Sequence, residues 1–320
     1  MSEMDKRTII KYLSAVAVTV ISVWFLLSYV DMGAIVSFLF RMDPFYILLA
    51  FLVYYISIVF RVLRFRYLLH HKLGFRELHD ISVLHNFFTS ILPSVTGELS
   101  YVYMVGKTKK VSLMDNIGSL LVARIFDFIS FYFIIGYALF FIQGFTDVMR
   151  HLLFISFIVI SFLISALVLF MLFEKQVLHL LGRFIAAFRL ERWLGSFHRN
   201  GAYLRKTLTF RTTAICLFIS FITWGLAAVS NFFVFLATGV QFSLFKIFFA
   251  GALLKFLSTL PVQGFAGFGT SEGFWAAVFS QMGLDLENSI LTGFAAHAVS
   301  LGFVISLAGL VFLFRLVRPR

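Results

Sequence analysis

Two acids in this chain are each followed, after nearly the same interval, by a cation inside a long apolar stretch. Glu98 is followed by Arg124 and Glu272 by His297, at intervals of 26 and 25 residues. Each acid stands just after a break in an apolar segment. Asn86-Phe87-Phe88-Thr89-Ser90-Ile91-Leu92 runs into Pro93 and Gly97, while Lys255-Phe256-Leu257-Ser258-Thr259-Leu260 runs into Pro261, Gly264, Gly267 and Gly269. A carboxylate at the start of a half-helix is favoured by the free backbone N–H groups and the helix dipole. That alone gives Glu98 and Glu272 a capping role. Their recurrence at matching positions adds a second reading, in which each titrates as a gate or partners a buried cation. Asp127 stands one turn beyond Arg124, about ten residues into its stretch and so ~15 Å deep. Ionisable groups at such depth normally face a partner or a cavity and mark function. The blander alternative is an i,i+3 pair that only tethers the bundle. Arg61 and Arg64 close an earlier stretch, where they either snorkel to a membrane surface or present a guanidinium fork to a phosphate. The position matching Arg64 in the second half falls near Asn231, so the cationic site is asymmetric.

Other chemistries have weaker support. Gly269-Thr270-Ser271-Glu272-Gly273 fits G-x-S-x-G, with His297 as a base, but that motif needs a strand-to-helix elbow and no strand is in evidence. The matching first-half positions, Val95-Thr96-Gly97-Glu98-Leu99, keep the acid and lack the serine. His70, His71, His79 and His85 lack the i,i+4 spacing with a carboxylate that makes a metal box. Gly264, Gly267 and Gly269 do not form a dinucleotide fingerprint. Cys216 is the single cysteine, which excludes an intramolecular disulfide and a cysteine-based cluster. No metal, no cofactor and no catalytic role are expected.

The composition says what must position these groups. Apolar residues make up 61% of the 320 and charged residues 13%, with 44 phenylalanines, against about half and a quarter in a soluble domain. Several stretches exceed the ~20 apolar residues that cross a hydrocarbon core. The expected fold is an all-α polytopic membrane protein with no soluble domain. Spans are predicted at 8–30, 44–69, 115–142, 150–173, 211–238 and 287–315, the first a retained transmembrane helix. Two pieces, 80–106 and 244–282, are apolar but broken by proline and glycine, and each arm is too short to span. Irregular backbone at membrane depth is tolerated only where protein or a watery cavity covers it, so both are predicted to be re-entrant helical hairpins. Additional tilted spans are the competing reading.

A net charge of +12 would suggest nucleic acid in a soluble protein. Here the cations flank the spans, and no nucleic acid is expected. Lys6, Arg7 and Lys11, then His70 to Arg76, Lys107 to Lys110, the 174–210 segment and the final arginines fall on one side if there are six spans and two re-entrant hairpins. The positive-inside rule makes that side cytoplasmic, with both termini there. The 174–210 segment mixes Leu178, Leu181, Phe184 and Phe188 with basic residues at helical spacing, as an interfacial amphipathic helix does. Residues 44–142 and 211–315 then form inverted repeats, whose hairpins enter from opposite faces.

With these motifs assembled, the chain resembles the flippase-like transmembrane family typified by the membrane region of lysylphosphatidylglycerol synthases, with small bacterial and archaeal relatives. Arg61-x-x-Arg64-Phe65, Asn86…Pro93…Gly97-Glu98 and Leu120-Leu121-Val122-Ala123-Arg124 with Asp127 carry the resemblance in the first half. Leu260-Pro261…Gly264…Gly267-Phe268-Gly269…Glu272-Gly273 carry it in the second. It implies moving or handling a lipid with a charged headgroup across the cytoplasmic membrane. The synthase's soluble aminoacyl-transfer domain is absent, so lysyl-lipid synthesis is not expected. His297 stands where the family favours arginine. The expected activity is translocation of a phospholipid or polyprenyl-phosphate-type lipid. The alternatives are an intramembrane headgroup enzyme, or a non-transporting lipid-binding subunit beside a partner synthase or glycosyltransferase. The expected headgroup residues are Arg61, Arg64, Asn86, Glu98, Arg124, Asp127, Glu272 and His297. The first repeat is expected to bind and the second to gate.

Overall fold

A computed structural model of the protein describes residues 19–92, 94–141, 145–172, 207, 209–258 and 264–317. These residues are helical almost throughout, with no strand among them. Five helices are long and apolar enough to cross a membrane: α3 (Pro44–Leu68), α6 (Leu113–Phe141), α7 (Asp147–Leu172), α8 (Phe210–Thr238) and α11 (Leu286–Val317). At 1.5 Å per residue they are about 37–48 Å long, which a ~30 Å hydrocarbon core accommodates by tilt. Their outer faces carry exposed Phe133, Tyr137, Phe154, Ile158 and Phe162, an apolar surface that suits lipid tails. The chain is therefore a multi-pass α-helical membrane protein.

Local chemistry sets the helix ends. Asp43 accepts from Phe45 N at 2.8 Å while Pro44 occupies the first turn of α3. Thr209 caps α8, and Gly239 ends it at φ 75°. Asp285 accepts from Asn288 N at 2.9 Å where α11 begins. One difference from expectation lies at 31–43, between the first two predicted spans. There the short helix α2 (Met32–Phe40) starts on Asp31, whose carboxylate accepts from Gly33 and Ala34, and lies 85° from α1 (Thr19–Leu27). Predicted features at 8–18 and over most of 174–210, together with Pro93 and Pro261, lie outside the described residues.

Between the long helices stand two pairs of short ones. These are α4 (Phe75–Ile91) with α5 (Ser94–Lys107), and α9 (Leu244–Leu257) with α10 (Thr270–Gln281). At about 18–26 Å none of the four matches the hydrocarbon thickness. The arms of the first pair approach closely at Gly97, where an added Cβ would lie 2.7 Å from Thr89 Cα. Gly97→Ala is expected to force the arms apart at a cost of about 1–3 kcal/mol. Gly225→Ala on α8, whose Cβ would meet nothing within 4 Å, should cost nothing. Thermal melting of the two variants in detergent makes the comparison. In the second pair, Lys246 Nζ on α9 donates to Met282 O just past α10 at 2.7 Å, which closes the far end.

The two halves run in opposite senses. Asp43 N donates to Ala237 O, Ser230 Oγ to Ala50 O and Arg64 Nη1 to Ser220 Oγ. Rising numbers on α3 thus meet falling numbers on α8, so the leading helices of the two units pack antiparallel. The hairpins cross over: α4 packs on α11, α9 packs on α6, and α4 meets the turn 265–267 of the other pair. The tips of both hairpins are brought face to face.

Candidate functional site

The hairpin tips enclose a cavity of about 500 Å³, lined by Thr89, Ser90, Glu98, Arg124, Asp127, Trp224, Lys255, Gly264, Ala266, Gly267, Ser271 and His297 among others. A second cavity of about 300 Å³ adjoins it, sharing Phe131, Trp224, Lys255, Ser258 and Ser271, with Asn231 in its wall. Both units supply residues to the lining of this cavity.

In the first unit, Glu98 on α5 accepts from Arg124 on α6 through both carboxylate oxygens. Each side chain is about one-third exposed, toward the cavity. A parallel-fork contact of this kind is strong yet reversible when water reaches it. Asp127 does not serve mainly as Arg124's i,i+3 partner, since that contact is long at 3.4 Å. Its partner is Arg64 on α3, at 2.6 Å from Nη1 and 3.3 Å from Nη2, with Trp224 Nε1 donating at 2.9 Å. Arg64 is 3% exposed and Asp127 4%. Snorkelling does not describe Arg64, whose guanidinium turns inward to Asp127 and Ser220. Arg61 donates to Asn86 Oδ1 at 3.0 Å, and Asn86 donates on to the Tyr54 hydroxyl. These two stand behind the cavity wall and are not among its lining.

In the second unit, Glu272 on α10 is fully buried. One of its oxygens accepts from Gly269 N at 2.8 Å, and the other lies 2.6 Å from His297 Nδ1. The opposite ring nitrogen lies 3.1 Å from Ala266 O. A carbonyl can only accept, so Nε2 carries a proton, and Nδ1 and Glu272 then share one more, whichever atom holds it. The pair is neutral as a whole. Neither nitrogen is free to take a proton from Ser271, which removes the base that the G-x-S-x-G reading needs. The turn that makes this contact is unusual backbone: Ala266 has φ 50° and ψ 22°, which costs about 1–2 kcal/mol for a residue with a Cβ. Gly269 at φ 79° must also be small, because an added Cβ would lie 2.9 Å from Val23 N on α1. Glu272→Ala should destabilise by about 1–3 kcal/mol through the buried donors left unpaired. Glu272→Gln, which can still accept from Gly269 and donate to a neutral His297, should melt close to the native protein.

Sequence reasoning passed over Lys255. It is exposed where it borders both cavities, and its ammonium makes no hydrogen bond or ion pair among the described residues. Its signal was an ionisable residue within an apolar segment, which functions by default. The charges acting on it are Arg124, Glu98, Arg61 and Asp127. Trp224 was missed as well, since an indole in an apolar helix carries no mark of its hydrogen bond.

No curated protein and no solved structure matches the chain. A family model does, over residues 12–309: that of the lysylphosphatidylglycerol synthase TM region. That family relates its members to lipid handling in membranes. A lone lysine beside an acid-bound arginine, in a cavity between two crossed hairpins, is thus found in a chain that belongs to the lysylphosphatidylglycerol synthase TM region family.

Proposed function

We propose that the protein is a lipid translocase that binds a phosphate-bearing headgroup between the hairpin tips and carries it across the cytoplasmic membrane. The observation that carries this reading is the cavity itself, which gathers Arg124 and Lys255 from opposite units around one space. The phosphate oxygens accept from Lys255 and from Arg124, and Glu98 releases Arg124 as the headgroup arrives and takes it back as the headgroup leaves. The acyl chains stay outside. A largely apolar groove of about 640 Å³, bounded by Ile21, Trp24, Phe25 and Tyr29 and by Phe274 on α10, offers them a path. Phe274 also borders the smaller cavity, and Ser271 borders the smaller and the larger one, so groove and headgroup site lie along the same helix. The antiparallel setting of α3 against α8 supports a site reachable from either face in turn. The cation-rich loops are assigned to the cytoplasm.

The test uses purified protein with a fluorescent phosphate-bearing lipid. In vesicles, the label should reach the opposite leaflet faster than in protein-free vesicles. In detergent, where sidedness has no meaning, the lipid should be recovered unchanged. A chemically altered lipid in detergent would favour the enzyme reading and overturn this one.

A further inference from the structure

The charges around the cavity do not balance, and the imbalance bears on the headgroup. Four cations act on one another there: Arg61, Arg64, Arg124 and Lys255. Among the described residues only two carboxylates answer them, Glu98 and Asp127. The Glu272–His297 pair contributes nothing, being neutral as a unit. His85, which holds Ser100 at 3.1 Å and lies 3.7 Å from Glu98, faces Arg124, Arg61 and Lys255, and is counted as neutral among three cations. The other acids of this half are engaged elsewhere: Glu77 with Lys110, Asp80 with Arg315 and Asp115 with Lys72.

Resting on the headgroup site proposed above, we infer that the headgroup is a terminal phosphate carrying two negative charges, as in a lipid phosphomonoester, and not the singly charged phosphodiester of common phospholipids. Arg124 and Lys255 border the cavity with positive charge that the two carboxylates do not cancel, and an anion entering that space is attracted in proportion to its own charge. A dianion cancels the excess of two, whereas a phosphodiester leaves one cation unanswered. A terminal phosphate also presents three oxygens. These can take Lys255 and both Arg124 nitrogens now bound to Glu98, while an esterified oxygen is a poor acceptor. The apolar groove beside Phe274 argues for a lipid source over a free anion.

Titration of the purified protein in maltoside detergent, followed by tryptophan emission, to which Trp224 and Trp275 in the cavity walls contribute, gives the test. Dodecyl phosphate should bind at least about tenfold more tightly than dodecyl methyl phosphate, which has the same tail and one charge fewer. Inorganic phosphate should bind more weakly than dodecyl phosphate. In Lys255→Met, the preference for the monoester should shrink to within about threefold. Equal binding of monoester and diester would overturn the two-charge inference and leave the headgroup site standing. Equal binding of inorganic and dodecyl phosphate would overturn the lipid source. If neither alkyl phosphate binds, the headgroup reading falls and this inference with it.

Discussion

Replacing Asp127 by alanine is expected to destabilise the protein by about 3–5 kcal/mol, the usual result of stripping one partner from a buried ion pair. Arg64 would keep Ser220 at 2.6 Å as its hydrogen-bond partner, and its Nε is already buried without one. Trp224 would lose its acceptor, and four cations would face Glu98 alone. The loss comes from leaving charge unpaired, not from losing an attractive contact. A double variant, Arg64→Leu with Asp127→Leu, should therefore recover much of the stability, because an apolar pair of similar volume removes both desolvation costs. Melting in detergent distinguishes the cases. If Asp127→Ala melts with the native protein, the pair does not hold α3, α6 and α8 together.

Lys255→Met is expected to act in the opposite direction on stability and strongly on binding. Methionine fits the volume and removes a cavity-lining cation that has no ion-pair partner among the described residues, so the melting temperature should hold or rise. Headgroup affinity should fall about 10- to 150-fold, the equivalent of one hydrogen bond to a charged group at about 1.5–3 kcal/mol. Function gained at a cost to stability is a recurrent property of binding sites. A variant that melts lower and binds normally would place Lys255 among the structural cations instead. The two substitutions thus separate the charges that hold the fold from those that await a ligand.

The spans were legible because lipid imposes them directly. Stretches 44–69, 115–142, 150–173, 211–238 and 287–315 differ by only a few residues from α3, α6, α7, α8 and α11. The spacing from each acid to its cation was legible for a related reason. An arm, a turn and half a helix recur in both units, and the geometry joins Glu98 to Arg124 and Glu272 to His297. Partner choice was not legible. Sequence proximity ties Asp127 to Arg124, yet Arg64, 63 residues away, meets it through the packing of α3 on α6. Short i,i+3 spacing sets closeness, while fork geometry and burial decide the stronger bond. Helix α2 was hidden because its nine residues are too few to span and its flanks read as a loop. Asp31, capping two N–H groups, was the available sign. Lys255 was overlooked because it was read only as the first residue of the apolar run that leads to Pro261.

The most direct test of the account is translocation of a labelled lipid phosphomonoester in vesicles by the native protein, Lys255→Met and Arg124→Gln, each first confirmed to be folded by melting. The native protein should move the label faster than protein-free vesicles, and both variants should lose at least about nine-tenths of that added rate, since tenfold corresponds to about 1.4 kcal/mol. Translocation at the native rate in both folded variants would contradict a headgroup site between the hairpins.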